Sequence, residues 1–255
     1  MILTDTHTHL YYELDAVRRD ELMQRCAANS VDRLFLPNVD LSSVAKVFEL
    51  VRLYPQNCFP MLGLHPCDVK ENWAEETDAI TNAGQHHKIY AIGEIGIDLY
   101  WDKTHLDRQI AAFKQQITWA KKLKLPIVIH CRDAFDEVFK VLEQDQDENL
   151  RGIFHCFTGT LEQANKVISL GFYLGIGGVV TYKNGGLDKI LPQIDLSHIV
   201  LETDSPYLTP VPHRGKPNES SYLIYIAQKV ADLYQASLET IANITTENSK
   251  KIFGV

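Results

Sequence analysis

The stretch His105-Leu106-Asp107-Arg108-Gln109-Ile110-Ala111-Ala112-Phe113-Lys114-Gln115-Gln116-Ile117-Thr118-Trp119-Ala120-Lys121-Lys122-Leu123-Lys124 runs through Leu125 into Pro126-Ile127-Val128-Ile129-His130. In its first part Leu106, Ile110, Phe113, Ile117, Ala120 and Leu123 recur at spacings of three and four, which predicts a helix from His105 to Lys124 with one face on a core. The second part, Pro126 to Ile129, is a short β-branched run that reads as a strand ending at a histidine. A helix followed by a strand with a chemically competent residue at its end is the unit from which the rest of the chain is read.

Seven more such runs occur along the 255 residues: Ile2-Leu3, Leu34-Phe35-Leu36, Phe59 to Leu64, Tyr90 to Ile97, Gly152 to Phe154, Phe172 to Ile176, and Ile199 to Leu201. They are separated by roughly 20 to 35 residues, long enough for a helical crossover and too long for a hairpin, so parallel strands are expected. Eight βα units in one chain fit an α/β fold of the closed (β/α)8 TIM-barrel type, a single domain over 1–255, with the chemistry at the C-terminal strand ends. An open doubly wound sheet is the alternative. It would want a Gly-rich phosphate loop after the first strand, where this chain has His7-Thr8-His9. Pro206, Pro210, Pro212, Gly215 and Pro217 mark a long irregular loop after the eighth strand, and helices near Ser220 to Tyr234 and Leu238 to Phe253 are expected to close the fold.

The composition, 45% hydrophobic and 23% charged, is that of a globular domain. At this length roughly 70–75% of the unfolded chain's surface can be buried, so neither disulfides nor a structural metal is needed and any metal is expected to be functional. The net charge of −8 opposes a broad grip on polyphosphate. Five scattered cysteines without a C-x-x-C, no room for a signal peptide before Asp5 and no membrane-length apolar run lead to the expectation of a cytoplasmic monomer.

His7 and His9, at i and i+2 on an extended segment, lie on one face and make half a metal site. Alone, H-x-H is a weak signal. Its weight comes from the other strand ends: His65 after the third, Glu94 in the fourth, His130 after the fifth, His155 after the sixth and Asp204 after the eighth. In a barrel these ends converge. Four His with one Glu and one Asp can hold two divalent cations with Glu94 bridging, apparatus suited to hydrolysing a phosphodiester. Each residue also has an ordinary reading: His130 and His155 as hydrogen-bonded core residues, Glu94 as a partner of a buried Lys, Asp204 as a helix cap. Shared strand-end placement argues against all of these at once. Cys131 and Cys156 follow two of the histidines, and alternation turns them toward the helices. Gly175-Ile176-Gly177-Gly178 lacks P-loop spacing and reads as close backbone approach. Arg132 falls two residues after His130, on its side, and suits either an anionic oxygen or a pairing with Asp133 or Asp136 on the following helix. Arg214 belongs to the one compact basic patch, His213 to Lys216.

Thr4-Asp5-Thr6-His7-Thr8-His9-Leu10, Gly63-Leu64-His65-Pro66, Gly93-Glu94-Ile95-Gly96-Ile97-Asp98, His130-Cys131-Arg132, His155-Cys156-Phe157-Thr158-Gly159 and Leu201-Glu202-Thr203-Asp204-Ser205-Pro206-Tyr207-Leu208 together resemble the successive signatures of the TatD-type deoxyribonucleases, metal-dependent hydrolases of the amidohydrolase superfamily. The resemblance runs from residue 4 to the helix at Asn248 to Phe253. It implies a TIM barrel, metal ligation by His7, His9, Glu94, His130, His155 and Asp204, and phosphodiester hydrolysis in DNA. The family's later loop commonly reads H-x-G-K-R-N-x-P. Here Pro217 replaces a basic residue and Ser220 the proline, which puts the loop's substrate contacts in question.

The expected enzyme is a DNase with two divalent metal ions per chain, Zn, Mn or Mg, working on single-stranded or frayed DNA ends through a shared hydroxide. Asp204 and Glu94 are its catalytic carboxylates, and His65, Arg132 and Arg214 contact substrate. An amidohydrolase of small-molecule amides or esters, and a non-catalytic metal-binding module, are the competing readings.

Overall fold

A computed structural model describes residues 1–255. Eight parallel strands follow one another in chain order around one sheet: β1 (Leu3–Asp5), β2 (Val31–Pro37), β3 (Cys58–Leu62), β4 (Ala91–Asp98), β5 (Ile127–Arg132), β6 (Gly152–Phe154), β7 (Phe172–Ile176) and β8 (Ile199–Leu201). The crossovers carry α1 (Ala16–Ala28), α2 (Leu41–Leu53), α3 (Trp73–Gly84), α4 (Leu106–Leu123), α5 (Phe135–Asp145), α6 (Leu161–Ser169) and the short α7 (Leu187–Ile190), and α8 (Leu223–Tyr234) and α9 (Leu238–Phe253) follow β8. This is the (β/α)8 barrel.

The barrel closes at its seam by a few bonds rather than a full ladder. Thr6 N–H donates to Leu201 O at 3.0 Å, Asp204 N–H to His7 O at 2.9 Å, and Thr8 bridges to Ser205. Inside the seam the buried Asp5 carboxylate accepts from Thr203 N–H at 2.9 Å and Thr203 Oγ1 at 2.6 Å.

The side-chain alternation of the strands divides two cores. Val128, with Phe35, Met61, Ala91, Ile153 and Val200, fills the barrel interior, whose lower end is plugged by Phe253 stacked on Phe35 at 3.8 Å. Ile127 and Ile129 face outward to the larger layer beneath the helices, together with Phe113, Ile117 and Ala120 of α4. Continuing along β5, His130 and Arg132 turn inward and Cys131 outward. In β4 the pairing register shifts between Ile92 and Ile95. Both of these isoleucines pack outward, so the irregularity reverses parity and Glu94 faces the interior, where an unbroken strand would have turned it toward the helices.

Two residues on the core face of α4 are polar. Gln109 exchanges bonds with Asp98, accepting from its N–H at 2.8 Å and donating to its carbonyl at 3.1 Å. Gln116 does the same for Leu64, at 2.7 and 3.2 Å. Strand ends have free backbone groups, and burying them unpaired would be costly. These glutamines pin the ends of β3 and β4 at the site. The apolar periodicity predicts neither, and Leu123, placed on the stripe by spacing, is 45% exposed.

Candidate metal centre

At the C-terminal strand ends five imidazoles and two carboxylates come together with no Lys or Arg among them. Glu94 is at the centre. Its Oε2 lies 3.2 Å from His7 Nε2 and 3.8 Å from His9 Nε2, while its Oε1 lies 2.8 Å from His130 Nδ1, 3.0 Å from His155 Nε2 and 3.4 Å from His65 Nε2. Asp204 Oδ1 joins the first group, 3.4 Å from His9 Nε2 and 3.8 Å from His7 Nε2. The two oxygens of one carboxylate therefore address two separate sets of nitrogens.

The donor chemistry fits cations. His7 Nε2 and His9 Nε2 are 3.3 Å apart, as are His65 Nε2 and His130 Nδ1. Facing ring nitrogens share at most one proton. His7 Nδ1, buried, has no protein partner. Ligand atoms of His7, His9 and Glu94, of His7, His155 and Asp204, and of His65, Glu94 and His130 each lie within 4.8 Å of one another. Imidazole nitrogens with carboxylate oxygens are a set that divalent transition metals accept.

Burial raises the pKa of the Glu94 carboxyl, but the facing His155, His65 and His7 outweigh it and hold the group well below the usual range. Asp204 is likewise held low, by His9, His155 and His7 against burial. His7 goes down through burial and His155. Burial would also lower His155, yet Glu94 and Glu202 carry it well above its ordinary value.

Behind this layer sit residues that sequence reasoning did not single out. Asp98 Oδ2 lies 2.8 Å from His130 Nε2, Glu202 Oε1 3.1 Å from His155 Nδ1, and Tyr11 Oη 2.8 Å from His9 Nδ1. Each holds a ring by its second nitrogen, the arrangement that orients metal-binding histidines. Glu202 also accepts from Cys156 N–H at 2.5 Å. The glycine run of β7 makes room for it: a Cβ on Gly175 would sit 2.3 Å from Glu202 Oε2. Close approach, not a phosphate cradle, is the role of that run.

His7, His9, Glu94, His130, His155 and Asp204 lie together in this one cluster. His65 stands among the second group rather than outside it. Arg132 is at the edge of the same cavity, about 580 Å³, which is lined by Glu94, His130, Asp204, Trp101 and Tyr207. Arg214 is not part of that lining; its guanidinium lies 4.0 Å over the Tyr182 ring. Cys131 faces the helices as alternation predicts. Cys156 lies beyond β6 at φ +47°, where alternation no longer applies; burial, then Asp204, Glu202 and Glu94, hold its thiol well above the usual range. Ser220, one of the two departures from the family pattern, donates to Thr8 Oγ1 at 3.0 Å, and Asn218 Nδ2 to Thr203 O at 2.7 Å, so the loop is anchored beside the site.

A barrel with such a cluster at the ends of its strands belongs to the class of metal-dependent hydrolases. A family model described as TatD related DNase matches residues 4–254, and the chain belongs to that family. It is 39% identical over 255 residues, all of both chains, to an uncharacterised metal-dependent hydrolase of Bacillus subtilis, YabD. It is 32% identical over 243 residues, 93% of each chain, to the 3'-5' ssDNA/RNA exonuclease TatD of Escherichia fergusonii. A solved TatD homologue from Escherichia coli K12 superposes with a TM-score of 0.92 at 26% identity, covering 99% of this chain and 98% of that one. No helix is long and apolar enough to cross a membrane.

Proposed function

We propose that this protein is a nuclease that hydrolyses phosphodiester bonds of single-stranded DNA from an end, with two divalent cations per chain. The observation that carries the reading is Glu94, whose two oxygens face two sets of imidazoles on the floor of an open cavity. The named function of the Escherichia fergusonii relative supports the substrate class. Many amidohydrolases bridge their metals with a carboxylated Lys, so a Glu in that role favours the diester over the amide.

His7, His9 and Asp204 would hold one cation and His130 and His155 the other, with Glu94 shared; Zn or Mn suits the imidazoles, and Mg the carboxylates. When bound, the pair supplies a water of lowered pKa and neutralises charge on the phosphoryl oxygens. Asp204 is kept ionised by its imidazoles and accepts the proton of the attacking water. His65 Nε2 and the Arg132 guanidinium donate to the equatorial oxygens as charge builds. Arg214 contacts substrate only if the long loop turns it away from Tyr182. The proposed state is a monomer, and five free thiols support a reducing, cytoplasmic setting.

The test is turnover of single-stranded DNA, a small phosphodiester and a panel of amides, with and without chelator. Chelator-sensitive cleavage of the diesters alone supports the reading; cleavage of an amide but no diester overturns it.

A further inference from the structure

The mouth of the cavity keeps large rings in water. Trp101 is 69% exposed and Tyr100 52%, although Trp101 lines the cavity that holds Glu94 and Asp204. Exposed rings beside a ligand cavity mark a contact surface. Two other rings of the cavity sit against an imidazole of the cluster: Tyr12 stacks on His9 at 5.7 Å, and Tyr207, 53% exposed, meets His9 edge-on at 6.0 Å. On the near wall Arg132 places its guanidinium 4.0 Å over Tyr100 and 5.6 Å from the Trp101 ring centre.

Trp101 is tied to the cluster through one carboxylate. Its backbone N–H donates to Asp98 Oδ1 at 2.8 Å, and the Tyr100 backbone N–H to the same oxygen at 2.9 Å. Asp98 Oδ2 meets His130 Nε2 at 2.8 Å. A residue whose backbone is held this way carries its ring at the edge of the cluster, and a cation beside it suits a phosphate next to a stacked base.

We propose that Trp101, with Arg132 beside it, is the platform on which an unpaired base of the substrate strand stacks next to the phosphate being cut. The proposal rests on the nuclease reading above. A π face accepts any base, so such a platform selects unpaired strands without reading sequence. A base inside a duplex has both faces covered by its neighbours and cannot use it.

The test compares the metal-loaded enzyme and its Trp101→Ala and Trp101→Phe variants on two single-stranded oligonucleotides of equal length, one intact and one abasic at the last three positions of both ends. For the wild type, abasic ends should raise KM about tenfold, and Trp101→Ala should raise it about tenfold on the intact strand. Trp101→Phe should recover most of that loss. The alanine variant on the abasic strand should cost no more than either change alone, because both remove one contact. Losses that multiply, or a fall in kcat shared by both strands, would mean that Trp101 only shapes the site, and an unchanged KM for Trp101→Ala would also overturn the platform. A wild type that cuts both strands with one KM removes the platform and keeps the nuclease. A wild type that cuts neither removes both.

Discussion

Glu94 and Asp204 contribute charge to the cluster and almost nothing to the two apolar cores. Glu94→Ala and Asp204→Ala are therefore expected to melt cooperatively near the wild-type temperature and to lose hydrolysis. Wild-type turnover in either variant, alongside a normal melt, would contradict the assignment. Glu202 is buried against His155 and Cys156, and Glu202→Gln should cost about 10–100-fold in metal affinity or activity while the fold persists. Calorimetric titration with Mn or Zn reads this directly. The members of the His/Glu/Asp cluster were legible in the sequence because each lies in or just after an apolar run that reads as a strand. Glu202 and Asp98 were not, although both lie within the quoted motifs. Their roles depend on which ring another strand brings alongside, and that is set by the register across β4–β5 and from β6 through β7 to β8 and by no spacing within one segment.

At the scale of elements, β7 must pass β8 closely enough to seat Glu202. A Cβ on Gly175 would come 2.3 Å from Glu202 Oε2 and 3.2 Å from the His155 Cα. Gly175→Ala should destabilise by about 1–3 kcal/mol through overpacking and weaken metal binding more than its change in Tm explains; a variant equal to wild type in both would show that the contact relaxes freely. The loop after β8 is fastened to α1 by Arg25, whose Nε and Nη2 each donate to Glu219 at 2.8 Å. Burial pushes the Glu219 carboxyl up, and Arg25 with Ser221 more than offsets this, leaving it below its ordinary 4.5. A depressed carboxyl adds stability above about pH 4.5 that is lost as pH falls through the folded value. Arg25→Gln should accordingly flatten the acid limb of the stability curve, and an unaltered limb in urea melts between pH 3 and 6 would refute the link. The strand count and both closing helices were readable from apolar runs. The parity reversal in β4 that turns Glu94 inward was not, since the apolar pattern of Ile92 to Ile95 does not mark the shift in register. The paired glutamines of α4 escaped as well, because periodicity counts apolar residues and Gln109 and Gln116 are buried to serve backbone.

For the whole molecule, a net charge of −8 leaves few places to neutralise phosphate. With two or three contacts, the plot of log K against log salt should fall with a slope of about −1.4 to −2.1 for a single strand. Asp204→Ala, expected to lack hydrolysis, is suited to the measurement, and closed circular duplex should bind more weakly than single strands. A steep slope with equal affinity for closed circles would reveal a basic track running beyond the cavity. The seam sets a different boundary. His7 and His9 precede by nearly two hundred residues Asp204 and Ser205, just past β8, whose backbones bond theirs: Asp204 N–H donates to His7 O and His9 N–H to Ser205 O. A ribosome-bound fragment that stops short of β8 has the early histidines with nothing across the gap. The two halves of the cluster are thus joined in a single event, when the last strand clasps the first.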